Sequence, residues 1–460
     1  MRRPAHTAIA LSPLVFALIA GGCQSGGGAA SIAPARPGDV SGRYIVTISD
    51  ADLTAPALHT GRLGERDPAA RDTLTVLELP IREPTTPWAQ IEVSNSVIGP
   101  PNALAVSRDG NTAFVIESRG PAPEGAVTIA DLPSGQYLFA IDMTEPIQPR
   151  VVGATVVGAN PMAVDVHPDG DIVAVVTAVP HEQIVIVPFT PAGPGESGGL
   201  GDPLAWPLIG VDDSSAVPSC IAWSPDGRLL AITIPDQDRV VFLEFTRDAN
   251  DGSMGLRPWG QPVTVGKYPY SGRFTPDGRY FITTDLQWGR DVEGFRVGAP
   301  EGELSVVRVA PLPRQADVIT RPPVHQVVST AVVGVSPEGL AISPDGRYVV
   351  TANLRRSYLD DADPRLTRGG SLTLLTLDPD SGSLTPVGEY DLDGMPEGLA
   401  FDAAGNFVVV TQFRSFDPSV PEGELAFFRL SRHREGGPAL EPTDFRVGVG
   451  KGPHGVLIVR

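Results

Sequence analysis

The stretch Pro337–Asn353, PEGLAISPDGRYVVTAN, recurs in altered form along most of the chain, and this repeat limits the fold more than any other feature. At its centre, Ser343-Pro344-Asp345-Gly346 reads as a reverse turn. Proline presets φ at the first corner, aspartate favours the second, and glycine takes the positive φ that closes a hairpin. The flanking LAI and RYVVTA are short apolar or β-branched runs, so the unit reads strand, tight turn, strand. Six stretches align on the opening proline: Pro101 (PNALAVSRDG), Pro161 (PMAVDVHPDG), Pro218 (PSCIAWSPDG), Pro269 (PYSGRFTPDG), Pro337 and Pro396 (PEGLAFDAAG). A seventh, PHGVLIVR from Pro453, begins the unit and ends with the chain after one strand. The spacings by subtraction are 60, 57, 51, 68, 59 and 57 residues, somewhat longer than the roughly 40 to 50 usual for propeller repeats. Seven openings predict an all-β, seven-bladed β-propeller.

Before Pro101 lie three strand-like runs, RYIVTIS, DTLTVLEL and WAQIEVSN, beginning at Arg43. Three strands are one short of a blade, and the C-terminal GVLIVR supplies the fourth. The ring is therefore expected to close by pairing the last strand with the N-terminal ones, which removes exposed sheet edges. Each later blade adds two strands to its hairpin, such as VVFLEF (240–245) and PVTVG (262–266), or SLTLLTLD and LTPVGEYDL. Continuous apolar runs such as FVVV fit sheets covered on both faces. With 51 Gly, 47 Pro and 42% hydrophobic residues in 460, the chain has both the turns and the core for one large domain. The net charge of −19 is scattered, and no basic face is present, so nucleic acid is not expected as a partner.

The first residues read as an export leader. Arg2 and Arg3 precede an apolar segment, Ala8–Ala20, that is too short for a permanent span, and Gly21-Gly22-Cys23 follows. Small residues before a cysteine resemble the lipobox of bacterial lipoproteins, which implies lipidation of Cys23; Ala20 stands where that pattern usually has leucine. An ordinary secretory signal cut elsewhere is the other reading. The expected organisation is a signal peptide over 1–22, a Gly/Ala/Ser/Pro tether over 23–42 and the propeller over 43–460. Such a protein would sit in the cell envelope on a lipid anchor, and Gln24 after the cysteine resembles the outer-membrane pattern. Cys220 in CIAW is then left without a partner, as a small buried hydrophobe.

The SPDGR units, together with SLTLLTLDPDSGSLTPVGEYDLDGMPEGLAFDAAGNFVVVTQF, resemble the seven-bladed lactonase-type propellers, which include phosphogluconolactonases and muconate-lactonising enzymes, and the related YVTN-repeat surface proteins. The resemblance spans roughly residues 95 to 460 and rests on turn and strand positions, so it specifies fold better than activity. It implies a His, a Glu and an Arg converging at one channel mouth. The His position falls on Pro218-Ser219-Cys220, without histidine; the Glu position is Asp285; the Arg position is near Arg355. A general base cannot be carried over where its histidine is missing.

The residues themselves suggest another group at the same mouth. In a propeller the loops entering the innermost strand and those leaving the second strand open on one face. The residue after each proline gives a ring of Asn102, Met162, Ser219, Tyr270, Glu338, Glu397 and His454. Sixteen past the proline are Glu117, Thr177, Ile234, Asp285, Asn353 and Gln412, and two further on are Arg119, Arg355 and Arg414. Adjacent acids and arginines suit a carboxylated or polyhydroxylated ligand, and equally a structural ion-pair network in a wet channel. The candidate ligand-binding residues are Glu117, Arg119, Glu338, Glu397, Arg414 and His454, and the candidate catalytic residues are Asp285 and Arg355. The seven histidines show no metal-site spacing, His167 reads as a surface turn residue, and no cofactor motif appears. The longer loops Gln287–Glu301 and Arg356–Gly370 should lie on the same mouth. Two functions follow: an anchored propeller binding a small molecule or envelope protein over its mouth, or a hydrolase of a sugar-acid lactone.

Overall fold

A computed structural model describes residues 36–460 apart from 68, 82–88, 192–198, 212–214, 314–322, 418, 421–422 and 434–435. The expected signal segment, Cys23 and most of the tether lie outside the described residues. Seven antiparallel sheets form seven blades. In six of them the Pro-led strand comes first in the blade, as in Pro337–Ile342, Tyr348–Asn353, Ser371–Leu377 and Leu384–Asp391. In the blades opened by Pro161 and Pro218 the fourth strand is broken in two, so that Gly199–Leu200 and Leu204–Trp206 both pair with Ile184–Thr190.

The seventh blade is composite. Its order runs Ala89–Glu92, Thr73–Glu78, Tyr44–Ser49 and then Pro453–Val459, with Tyr44 opposite Val459 and Ile48 opposite Gly455. The closure expected from three N-terminal runs and one C-terminal run is thus the observed one. The second strands explain the unbroken apolar runs: Thr112–Ile116, Ile172–Val176 and Leu229–Ile234 are buried at every residue, because neighbouring blades cover both faces. Outer strands such as Arg150–Val156 are mostly exposed or half-buried. Cys220 is a free, buried thiol that donates to the Gly272 carbonyl at 3.4 Å, and burial pushes its pKa up to about 12.

The repeated turn works as read, with an added hub. Gly346 takes φ +69°. The Ser343 hydroxyl donates to Asp345 at 2.5 Å and accepts from the Tyr348 amide at 2.9 Å. The same hydroxyl-to-aspartate bond recurs at Ser107, Ser224 and Thr275, each at 2.6 Å. These turns cap the face opposite the mouth. His167 takes the hydroxyl's place in its own turn and, unlike the surface residue expected, is buried edge-on against Trp223 with centroids 4.8 Å apart. Among the described residues no helix is long and apolar enough to cross a membrane.

Candidate active site

Four consecutive blades present their proline-plus-one residue to the channel through the same device. In the Pro337 blade, Pro337 pairs with Asn353 and Gly339 with Ala352, so Glu338 is an extra residue without a cross-strand partner. Register shifts fall at the same point beside Tyr270, Glu397 and His454. A bulge re-aims the side chain it carries, and bulges collect beside active sites for that reason. The glycine that follows each acid lets the inner strands crowd together. A Cβ on Gly339 would lie 2.2 Å from the Glu397 carbonyl oxygen, and one on Gly398 would lie 2.5 Å from that of His454. P-E-G, P-E-G and P-H-G thereby bring Glu338, Glu397 and His454 together around one side of the channel.

Glu338 and Glu397 are buried and within hydrogen-bonding reach of each other. Two buried carboxyl groups side by side cannot both ionise cheaply, which favours the protonated form of at least one. Burial raises the affinity of both for protons, Glu397's further because Glu338's charge lies beside it, while Arg296 opposes the rise at both. Neither carboxyl oxygen of Glu397 has a hydrogen-bond donor among the described residues. His454 is fully buried. Asn95 donates its amide to Ser49 and Val93 carbonyls, so its Oδ1 accepts from His454 Nε2–H at 2.7 Å. That fixes the tautomer and leaves Nδ1 as an acceptor with no donor among the described residues; burial lowers the pKa to about 3 and keeps the ring neutral.

Arg296 is the cation of this site and was not singled out in the sequence. It sits in the long loop 287–301, which was expected at the mouth, but nothing about a lone arginine in a loop marks it as functional. Its guanidinium lies 4.6 Å over Trp288 and 5.8 Å from Tyr358, and it makes no hydrogen bond to another described residue. Tyr268 and Tyr270 border Glu338, and burial raises both phenols. Over the mouth, Leu53, Ala57, Leu63, Trp288, Val297 and Leu359 pack into one apolar cap drawn from several loops. Below it, Asn102 and Ser271, from blades three apart in the ring, meet across the channel at 3.4 Å. The polar groups at the mouth, Glu338, Glu397 and His454, are thus buried beneath an apolar cap, with the half-buried Tyr268, Tyr270 and Arg296 beside them.

The remaining candidates are placed elsewhere. Asp285 accepts from Ser305 at 2.6 Å, Thr283 at 2.8 Å and the Gly266 amide at 3.2 Å, tying strands within its blade; burial raises it to about 7. Asn353 and Gln412 at the equivalent positions likewise bond to the third strand, at Ser371 and Glu424. The plus-sixteen ring therefore faces into the blades, because the last residue of a second strand is enclosed by the third. Glu117 is buried and accepts from the Gln136 amide at 3.3 Å. Arg119 is half-buried, on a bridge to Ser134. Arg355, at φ +55°, pairs with Glu389 at 2.8 Å and Asp391 at 2.7 Å on the outer strand instead of reaching Glu338. Arg414 donates to the Leu359 carbonyl at 2.8 Å and pairs with Asp361 at 2.9 Å, clamping the 356–370 loop onto the cap.

His167, Asp169 and Asp171 bring ligating atoms within 4.8 Å of one another. Both ring nitrogens are already engaged, Nε2 with the Gly227 carbonyl and Nδ1 with the Asp169 amide, and Asp171 pairs with Arg247. Turn structure accounts for the group.

The seven-bladed propeller is the architecture of the lactonase-type proteins. The profile of the family described as lactonase, 7-bladed beta-propeller, matches residues 75–420, and the chain belongs to that family. Among solved structures it is similar to the periplasmic gluconolactonase PpgL of Pseudomonas aeruginosa, with TM-score 0.58 and 17% identity over 90% of this chain and 99% of that one. It is also similar to a protein proposed to be a 6-phosphogluconolactonase from Bacteroides fragilis, with TM-score 0.59 and 16% identity over 91% and 98%. Identities this low speak to fold alone. A comparison with curated protein sequences gave no match at the threshold applied.

Proposed function

We propose that the protein hydrolyses a lactone at the capped mouth. The observation that carries this reading is the buried Glu338–Glu397 pair beside the unbonded guanidinium of Arg296. A pair holding one proton offers a base and an acid at once. The ionised carboxyl takes a proton from water as its oxygen bonds to the lactone carbonyl carbon. Arg296 stabilises the oxyanion that forms. As the ring C–O bond breaks, the protonated carboxyl gives its proton to the departing oxygen, and the pair again holds one proton. The product is the open hydroxy acid. His454 Nδ1 is an acceptor for a substrate hydroxyl.

This assigns the chemistry to residues other than Asp285 and Arg355, whose polar groups are committed within their own blade. Family membership favours the hydrolase over a purely binding propeller. The test is acid release from a panel of γ- and δ-lactones. Glu338→Gln and Glu397→Gln should each lower kcat by about 100-fold or more, whereas Arg355→Ala should leave it unchanged. Opening by the parent at the buffer rate, or parent-like rates in both glutamine variants, would refute the reading.

For the leader we propose acylation of Cys23, supported by the small residues before it and the tether after it. Cys23→Ser should release the folded protein from membranes, since two or more acyl chains hold where one short chain does not; equal membrane association of variant and parent would reject the anchor.

A further inference from the structure

One part of the repeat has no role at the mouth: the arginine that follows its turn. In SPDGR and TPDGR, Arg228 and Arg279 stand directly after the turn glycines of neighbouring blades, on the face opposite the mouth. Both line a cavity of about 610 Å³ there, and Arg308 joins them because it pairs with Tyr280 across adjacent strands. Cavities of this order hold small organic ligands. Leu229, Val309, Ala310 and Leu312 supply an apolar wall beside the three guanidiniums.

The charges around the cavity are unevenly committed. Asp226 accepts from Ser224 Oγ at 2.6 Å and from the Arg228 amide at 3.2 Å. Asp277 accepts from Thr275 Oγ1 at 2.6 Å, from the Arg279 amide at 3.1 Å and from Arg279 Nε at 2.6 Å. Both carboxylates are thus engaged within their own turns. Arg228 and Arg308 have no carboxylate partner among the described residues. The Arg228 guanidinium donates once, to the Pro313 carbonyl at 2.9 Å, and that of Arg308 once, to the Ser381 carbonyl at 3.0 Å, so each keeps most of its N–H donors uncommitted. Arg279 and Arg308 each lie 5.9 Å from the Tyr280 ring centroid, which orders the two side chains before anything binds. Forks of donors held in this way fit carboxylate or phosphate oxygens. Asp380 opposes them only from the rim, 93% exposed and 3.6 Å from Arg279.

We propose that this cavity binds a small organic oxyanion, a carboxylate or phosphate monoester carried on an apolar body, with Arg228 and Arg308 on the oxygens and Leu229, Val309 and Leu312 against the body. The site is separate from the mouth and does not depend on the hydrolase reading. The test is calorimetric titration of the full chain with phenyl phosphate and benzoate, and with benzyl alcohol as the uncharged counterpart. Both anions should bind saturably, and benzyl alcohol at least about tenfold more weakly. Arg308→Ala, at an exposed position, and Arg228→Ala should each raise the Kd for phenyl phosphate about tenfold or more, the scale of a lost bond to a charged group. Asp380→Asn should lower it, by up to about fivefold for an exposed charge, a change of sign that a loss of folding cannot mimic. No saturable binding of either anion at millimolar concentration, benzyl alcohol binding as tightly as the anions, or an unchanged Kd in both arginine variants would each overturn the proposal.

Discussion

The Thr47 hydroxyl donates to the Gly455 carbonyl at 2.8 Å, joining residues 408 positions apart. This bond lies in the composite blade, between the first strand of the ring and the last. Deleting Gly455–Arg460 strips the inner strand that buries Val456 and Val459 and leaves Tyr44–Ser49 with an open edge. The expected loss is on the order of several kcal/mol at about 25 cal/mol per Å² of apolar area, against a typical total of about 5 to 15 kcal/mol. The truncated protein should melt far lower or fail to stay soluble; a parent-like melting temperature would disprove closure by this strand.

Gly398 is the position where the site's geometry is most easily tested. A Cβ there would stand 2.5 Å from the His454 carbonyl oxygen, a contact with backbone that cannot move aside cheaply. Gly398→Ala should cost about 1 to 3 kcal/mol by overpacking and should also depress lactone opening, because it pushes the Glu397 and His454 strands apart. Thermal melts and kinetics on the same preparation measure both.

Stability should fall as pH rises from about 4 to 8. Burial raises Asp285 to about 7 and raises Glu338 and Glu397 as well. A carboxyl whose folded pKa exceeds its unfolded value favours folding fully below the unfolded pKa, and that contribution is lost as pH climbs through the folded pKa. Asp285→Asn should flatten part of this slope between pH 5 and 8, read as melting temperature against pH. A slope of the opposite sign in the parent would contradict the burial of these groups.

Arg414 holds the cap loop by its carbonyl and carboxylate contacts and stacks 4.5 Å over Phe416. Arg414→Ala should speed tryptic cleavage at Arg365 or Arg368 several-fold while shifting the global melt only slightly, because the blades do not depend on the cap. Unchanged digestion kinetics would show that the loop is held by other contacts.

Much of this was legible in the chain itself. Seven Pro-led units, their SPDG turns and the lone C-terminal GVLIVR determine blade number and ring closure, because turn chemistry and strand patterning are local and repeat with the unit. Even the mouth ring of Glu338, Glu397 and His454 could be read, since each follows its proline by one residue. Tertiary structure alone decided what those residues face. The bulge that frees Glu338 arises from pairing across strands, and its place beside Glu397 from the crowding of two inner strands 59 residues apart. Arg355 and Asp285 hold the spacing expected of mouth residues, yet one turns to an outer strand and the other into its blade, because position along a strand does not reveal which neighbour encloses it. Arg296 is the clearest case. A single arginine in a long loop has no local signature, and its place over Trp288 beside the acid pair exists only once loops from distant blades pack together over the ring.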